Sequence, residues 1–254
     1  KTVGDFGRMG ARPTHPELLD WLAVEFVRNG WSLKAMHRLM MTSGAYRQAS
    51  TVGRAHEKLD PENVLLSRMR LRRMEAEVLY DSLLMVSGRL EETRFGPPDP
   101  VEVRKDGLVK PVEMEKGWRR SIYVKKSGFD IPTLLDSFDY PQMSPNCLER
   151  EETTVAPQAL HLMNDAMIGK LADSFAARVA RKIGPDLKRQ IDYVYLTALS
   201  RPPSSEEKQT AMGTMERLVA QWAKSSGSPE EARMQALSTL CHTVMNSAAF
   251  LYVD

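Results

Sequence analysis

The residues best equipped for chemistry lie in short clusters rather than in one motif. The string RPTHPELLDWLA, residues 12–23, sets His15, Glu17 and Asp20 within six positions. An imidazole beside carboxylates is the raw material of general acid–base catalysis or of a metal site. A metal site wants a second ligand on the same helical face, as in His-x-x-x-His, and Leu19 stands at that place. Thr14 and Glu17 have the spacing of a capping box instead, each side chain accepting from the other's backbone amide. The spacing therefore predicts a helix start at Thr14, with Leu18, Leu19 and Leu22 as its inward stripe. His15 and Asp20 are left as candidates without a role.

A second cluster, WRRSIYVKKS, places Arg119, Arg120, Lys125 and Lys126 beside Trp118 and Tyr123. That set suits an anion, or equally an edge strand protected by charge. In RMRLRRMEAE a helix spreads Arg68, Arg70, Arg72 and Arg73 over several faces, and Glu75 and Glu77 answer part of the charge. Without interleaved aromatics this reads as a salt-bridged surface and not as a nucleic-acid patch. Asp136 with Asp139, and Glu149 with Glu151 and Glu152, are paired carboxylates, but such spacing is too common to nominate a glycosidase pair. His37, His56, His161 and His242 are isolated. No G-x-S-x-G, phosphate-cradling glycine loop or His-Glu-x-x-His occurs. There is no C-x-x-C-H, so no haem is attached to this chain in the ordinary c-type way, and no cofactor is expected in it. Cys147 and Cys241 are either free core thiols or one long-range disulfide.

The elements that must position these groups read as helices. Leu18, Leu19, Leu22 and Phe26 form one stripe at helical period, stopped by Asn29-Gly30. Ser32 caps a second helix carrying Leu33, Met36, Leu39 and Met40, which makes an αα-hairpin. Asp60-Pro61 predicts a third start, leading to Val64, Leu65 and Leu66, and a longer helix follows from about Leu71 to Val86, closed by Gly88. Between about 91 and 144 proline and glycine break the pattern, predicting an irregular insert with one or two short strands, the clearest in RRSIYVKKS. Helices resume at Thr154 as a cap, then at Asp165, at Asp186, and at two capping-box spacings, Ser204 with Glu207 and Ser228 with Glu231. The fold class expected is all-α, a multi-helix, orthogonal or bundle-like domain over residues 1–254, with helical halves at about 1–90 and 145–254. With 35 basic and 33 acidic residues, long-range attraction to nucleic acid is not a whole-chain property, and no apolar run is long enough for a membrane span. The start at Lys1, without a signal peptide, points to a fragment or a processed product.

Several stretches, taken in order, resemble one family. They are DFGRMGARPTHPELLDWLA, GWSLKAMHRLMMTSGAYRQAS, DPENVLLSRMRLRRMEAEVLYDSLLMVSGRL, RRSIYV, LLDSFDYP, EREETTVAPQALHLMN, LSRPPSSEE and NSAAFLYVD. The chain is similar along nearly its whole length to the planctomycete cytochrome-c-associated C-terminal domain, the domain of unknown function fifteen-fifty-three. The resemblance implies an exported, periplasmic or cell-surface protein with haem only in an upstream domain, and it implies no reaction. The match begins after the family's usual start, so a helix of the core is expected upstream of it. Two positions depart from the family's pattern, Tyr80 where an arginine is usual and Ala249 where a glutamate is usual.

The motif residues divide into punctuation, core and polar groups. Leu18, Trp21, Trp31, Leu39, Leu160 and Phe250 are expected in the core. The polar candidates for a cluster or binding surface are His15, Glu17, Asp20, Arg47, Arg119, Arg120, Tyr123, Asp136, Asp139, Arg150, Gln158 and Asn164, and buried ion pairs tying helix to insert are one expected use of them. The function expected is a non-catalytic binding or scaffolding module. It would dock neighbouring domains of the same polypeptide, or else a cell-surface protein or polysaccharide. The alternatives are a hydrolase or glycan-active enzyme with an acid and arginine cleft, and an electron-transfer accessory domain.

Overall fold

The computed structural model describes residues 4–5, 7–127, 130–141 and 147–253, so the expected end of the insert at 144 lies outside the described residues. Helix accounts for 54% of the chain and strand for 7%, which makes the domain mostly α, as its patterning predicts. Residues divide into two compact units, 1–72 and Arg73–Val253.

In the first unit, α1 (Pro16–Arg28) and α2 (Leu33–Met41) form the expected hairpin. Asn29 ends α1, and Gly30 and Trp31 turn the chain with φ of 64° and 60°. Trp31 folds back edge-to-face on Phe26, ring centres 5.3 Å apart, and this contact offsets the cost of a left-handed tryptophan. Ser32 caps α2 as expected, accepting from the Ala35 amide at 3.2 Å. The capping box at Thr14 does not form. Pro16 occupies the first helical position, so His15 becomes the residue before the helix, and the Thr14 hydroxyl meets His15 Nδ1 at 3.0 Å instead of reaching Glu17. Nor does Asp60-Pro61 open a helix. The helix here, α3 (Arg54–Leu59), comes before it, and Asp60 turns its carboxylate onto the amides of Val64 and Leu65 at 2.7 and 3.1 Å, closing a loop in place of a helical turn.

In the second unit, α4 (Ala76–Ser87) starts later than the apolar pattern predicts and ends at Gly88, whose φ of 74° is the left-handed stop. The short strand Leu90–Glu91 runs parallel to Trp118–Arg119, and Val101–Val103 pairs antiparallel with Val109–Pro111. Of the expected strand in RRSIYVKKS only Arg119 is extended in a named strand, before a 3-10 turn at Ser121–Tyr123. Helices α5 (Thr133–Ser137), α6 (Ala156–Asn164), α7 (Ala166–Ile183), α8 (Leu187–Leu199), α9 (Ser205–Trp222), α10 (Pro229–Met245) and α11 (Ala248–Leu251) complete the unit. The core forms where α7 packs on α10 and α4, and α10 on α9. Ile168, Leu171, Phe175 and Val179 of α7 are its fully buried stripe. The irregular segment adds Trp118, Leu135 and Phe138, so it closes the core rather than decorating it. Cys147 is exposed and Cys241 buried, both free thiols, and burial pushes the Cys241 thiol far up.

The helix caps differ in how closely they follow their spacing. Asp165 and Asp186 cap α7 and α8 as expected. At α6 the cap shifts to Val155, whose amide donates to Gln158 Oε1, because the Thr154 hydroxyl is held by the Tyr252 hydroxyl at 3.0 Å. Ser204 and Glu207 form the full box, and Arg201 adds two hydrogen bonds to Glu207 at 2.7 and 2.8 Å. The Arg201 guanidinium, and then the Ser204 amide, lower the Glu207 carboxyl from 4.5 to about 2. A depressed carboxylate stabilises the fold above its ordinary value and loses that contribution as pH falls towards its folded value. Glutamine keeps the N3 oxygen of the capping box and removes only the charge, and the Arg201 pair is partly open to solvent, so Glu207→Gln is expected to cost about 0.2–1 kcal/mol at neutral pH, the range of an exposed ion pair. The gap between the urea midpoints of the variant and the parent should stay constant from neutral pH down to about 5 and close as pH falls from 4.5 to about 2. A gap that stays constant with pH would show that the carboxylate charge contributes nothing.

Candidate binding groove

The sequence candidates are distributed over both units and are mostly occupied. His15, Glu17, Asp20 and Arg47 lie in the first unit, with His15 half-buried beside Thr14 and the other three exposed. The remaining candidates lie in the second, where two clasps organise them. In the first clasp the Arg73 guanidinium is almost wholly buried and donates to Asp139 Oδ2 at 2.6 Å and to the Phe138 carbonyl at 3.3 Å, its Cζ lying over the Phe138 ring at 5.0 Å from the ring centre. Asp139, at φ of 63°, also accepts from the Thr153 amide and hydroxyl at 2.8 and 2.9 Å. Gln158 Nε2 donates back to the Thr153 carbonyl at 3.2 Å. In the second clasp Arg119 donates to Asp99 Oδ1 and to the carbonyls of Phe95 and Pro97, and it stacks on Tyr123. Arg150 forms a bidentate pair with Glu77 of α4, both bonds at 2.8 Å, and this pairing holds the Glu77 carboxyl below its usual range. Arg120 meets Glu92 at 3.3 Å at the surface, Asp136 is exposed, and Asn164 donates to the Leu160 carbonyl within its own helix.

These side chains therefore work as ties. Asp139 and Gln158 come together through Thr153, and Arg119 and Tyr123 through their stacking, while Asp136, Arg120 and Asn164 join neither group. In the anion candidate WRRSIYVKKS, Trp118 is buried and Lys126 lies over Tyr140. Among the described residues no group of three or more His, Cys, Asp or Glu is placed to hold a metal ion.

The open site is elsewhere, in residues expected to be core. Leu18, Trp21, Trp31 and Leu39 are exposed, Trp21 at 48% and Trp31 at 66%, and none of the residues of α1 or α2 is fully buried. Leu160 faces outward too, because α6 turns Gln158 and Leu162 inward, whereas Phe250 is buried as expected. Apolar positions 18, 19, 21, 22, 24, 26 and 27 circle the α1 axis. A single hairpin can cover only one face of such a helix.

Between the hairpin and the 63–72 segment lies a groove of about 490 Å³ lined by Leu18, Trp21, Leu39, Met40, Leu66 and Met69 among others. Asp60 builds its far wall. Its carboxylate also accepts from the Ser67 hydroxyl at 2.9 Å, and Arg68 donates to the carbonyls of Asp60 and Pro61, both at 2.7 Å. Burial pushes the Asp60 carboxyl up, but the hydrogen bonds from Ser67, Val64 and Leu65 outweigh it and leave the group below its usual value. Leu66 is held at φ of 55°, a left-handed conformation costing about 1–2 kcal/mol, where its side chain lines the groove. Arg68, Arg70 and Arg72 also line it and no acid does. Arg68 is engaged by its loop, whereas the side chains of Arg70 and Arg72 carry no hydrogen bond or ion pair among the described residues. An apolar floor with a few convergent cations is the lining of a binding site. Sequence periodicity conceals this site because a stripe bound for a partner has the same spacing as one bound for the core. The all-round apolar character of α1 was the available signal.

No helix among the described residues is long and apolar enough to cross a membrane. Neither a curated protein nor a solved structure matches the chain. The model of one family does, over residues 1–215, and with so much of its length matched the chain belongs to the family described as protein of unknown function (DUF1553).

Proposed function

We propose that the chain is a non-catalytic helical docking module of a larger, exported, cytochrome-c-associated protein, and that its first unit receives a neighbouring domain of the same polypeptide. The observation that carries this reading is the apolar groove beside a helix exposed on several faces. Burying a large apolar side chain contributes about 1.5–3 kcal/mol, and Leu18, Leu19, Trp21, Val24 and Val27 all remain open to make that contribution. The acids and arginines that would serve a hydrolase support the same reading, because Asp139 and Arg119 spend their hydrogen bonds inside the fold. On this proposal residues 1–254 act as one domain, any haem belongs to an upstream domain, and the partner is a protein segment rather than a polysaccharide.

Amide hydrogen exchange over residues 16–41, compared between this chain and its parent polypeptide, tests the proposal. The expected result is exchange at least about tenfold slower in the parent, since docking adds to the free energy of local opening. Equal exchange in both would overturn it.

A further inference from the structure

We infer that the occupant of the groove is an acidic amphipathic helix, its apolar face seated on Trp21, Leu39 and Leu66 and its carboxylates on Arg70 and Arg72. The inference rests on the docking reading above and adds the chemistry of the partner. Three observations fix that chemistry. The exposed apolar surface runs the length of α1, thirteen residues or about 20 Å of helix, which is more than a ligand confined to one 490 Å³ groove can cover. A polypeptide helix can, with anchors at i, i+3, i+4 and i+7.

The groove also offers cations and no acid, and the side chains of Arg70 and Arg72 carry no hydrogen bond or ion pair among the described residues. Residues 1–72 as a whole hold 12 Lys and Arg against 7 Asp and Glu, whereas the full chain is nearly balanced at 35 against 33. Charge complementarity therefore selects an acidic partner. It disfavours a second copy of the same unit, which would bring a second cationic face. An anionic membrane would meet the same groove cations, but it presents a flat surface to a groove bounded by the hairpin and the 63–72 segment, and the vesicle measurement below separates it from a helix.

Fluorescence anisotropy of two labelled synthetic helical peptides, binding to the full chain, tests the inference. Both peptides carry the same leucine face, and one has glutamate and the other lysine at the flanking positions. The glutamate peptide should bind at least roughly tenfold tighter at low salt, with the gap closing as salt rises. The double variant Arg70→Glu/Arg72→Glu should reverse the preference. Trp21→Ala/Leu39→Ala, at partly exposed positions, should weaken both peptides while leaving the circular dichroism unchanged. Equal binding of both peptides, lost in the Trp21→Ala/Leu39→Ala variant, would overturn the acidic partner and leave the docking reading standing. Binding of neither would overturn both. Tighter binding to phosphatidylglycerol vesicles than to the glutamate peptide would assign the face to a membrane. Self-association abolished by Arg70→Glu/Arg72→Glu would assign it to a second copy.

Discussion

Replacing Asp139 by alanine is expected to lower the stability of the Arg73–Val253 unit by about 3–5 kcal/mol, the cost of leaving one partner of a buried ion pair alone. The Arg73 side chain is 4% exposed and its Nε already lacks a partner, so water has little access to replace the lost carboxylate. The Thr153 amide and hydroxyl lose their acceptor in the same step, releasing the segment that leads into α6. Part of the loss is conformational, because alanine tolerates the left-handed backbone at 139 less well than aspartate does. Asp139→Asn separates the two effects. Asparagine adopts the same backbone and keeps an acceptor for Thr153, so its deficit measures chiefly the charge and should be smaller. The measurement is the urea midpoint of each variant. A deficit below about 1 kcal/mol for Asp139→Ala would place this pair among surface ion pairs.

The second large effect is expected at Arg119. Arg119→Met strands the Asp99 carboxylate, whose side chain is 8% exposed, and frees the carbonyls of Phe95 and Pro97. The Asp99 hydrogen bonds hold the guanidinium still more firmly protonated than usual. Stability should again fall by about 3–5 kcal/mol. The double variant Arg119→Met/Asp99→Leu should recover much of that loss, because replacing both charges removes the stranded one. A local readout accompanies the global one. The exposed loop at 94–98 is tied down by Arg119, so proteolytic cleavage there should accelerate in Arg119→Met. An intact loop together with unchanged stability would show that the clasp holds nothing in place.

These two clasps show why the candidate residues were visible in the sequence and their use was not. Asp139 and Arg119 stand out by residue type and local company, but their partners are Arg73, 66 residues away, and Asp99, 20 residues away. No local spacing encodes such pairs. The same holds for Arg150 and Glu77, 73 residues apart. Catalytic and structural uses of an acid and an arginine look alike until the chain brings the partner, or fails to.

Local chemistry was determined by the sequence itself wherever a few neighbouring residues suffice. Ser32, Asp165, Asp186 and the Ser204–Glu207 box cap their helices because each interaction closes within three residues, and Gly88 stops α4 through its own backbone freedom. Where two local solutions compete, spacing alone did not choose between them: Pro16 displaced the Thr14 box, and Asp60 closed a loop where its spacing allowed a helix. Tertiary structure decided at Thr154, whose hydroxyl Tyr252 claimed from 98 residues away. Burial was the most tertiary property. Phe175 on α7 and Trp21 on α1 both lie on apolar helical stripes, yet Phe175 is fully buried and Trp21 is half exposed. Periodicity states which face of a helix avoids water. Only the packed chain states whether that face is covered, and within its own unit no residue of α1 is fully buried.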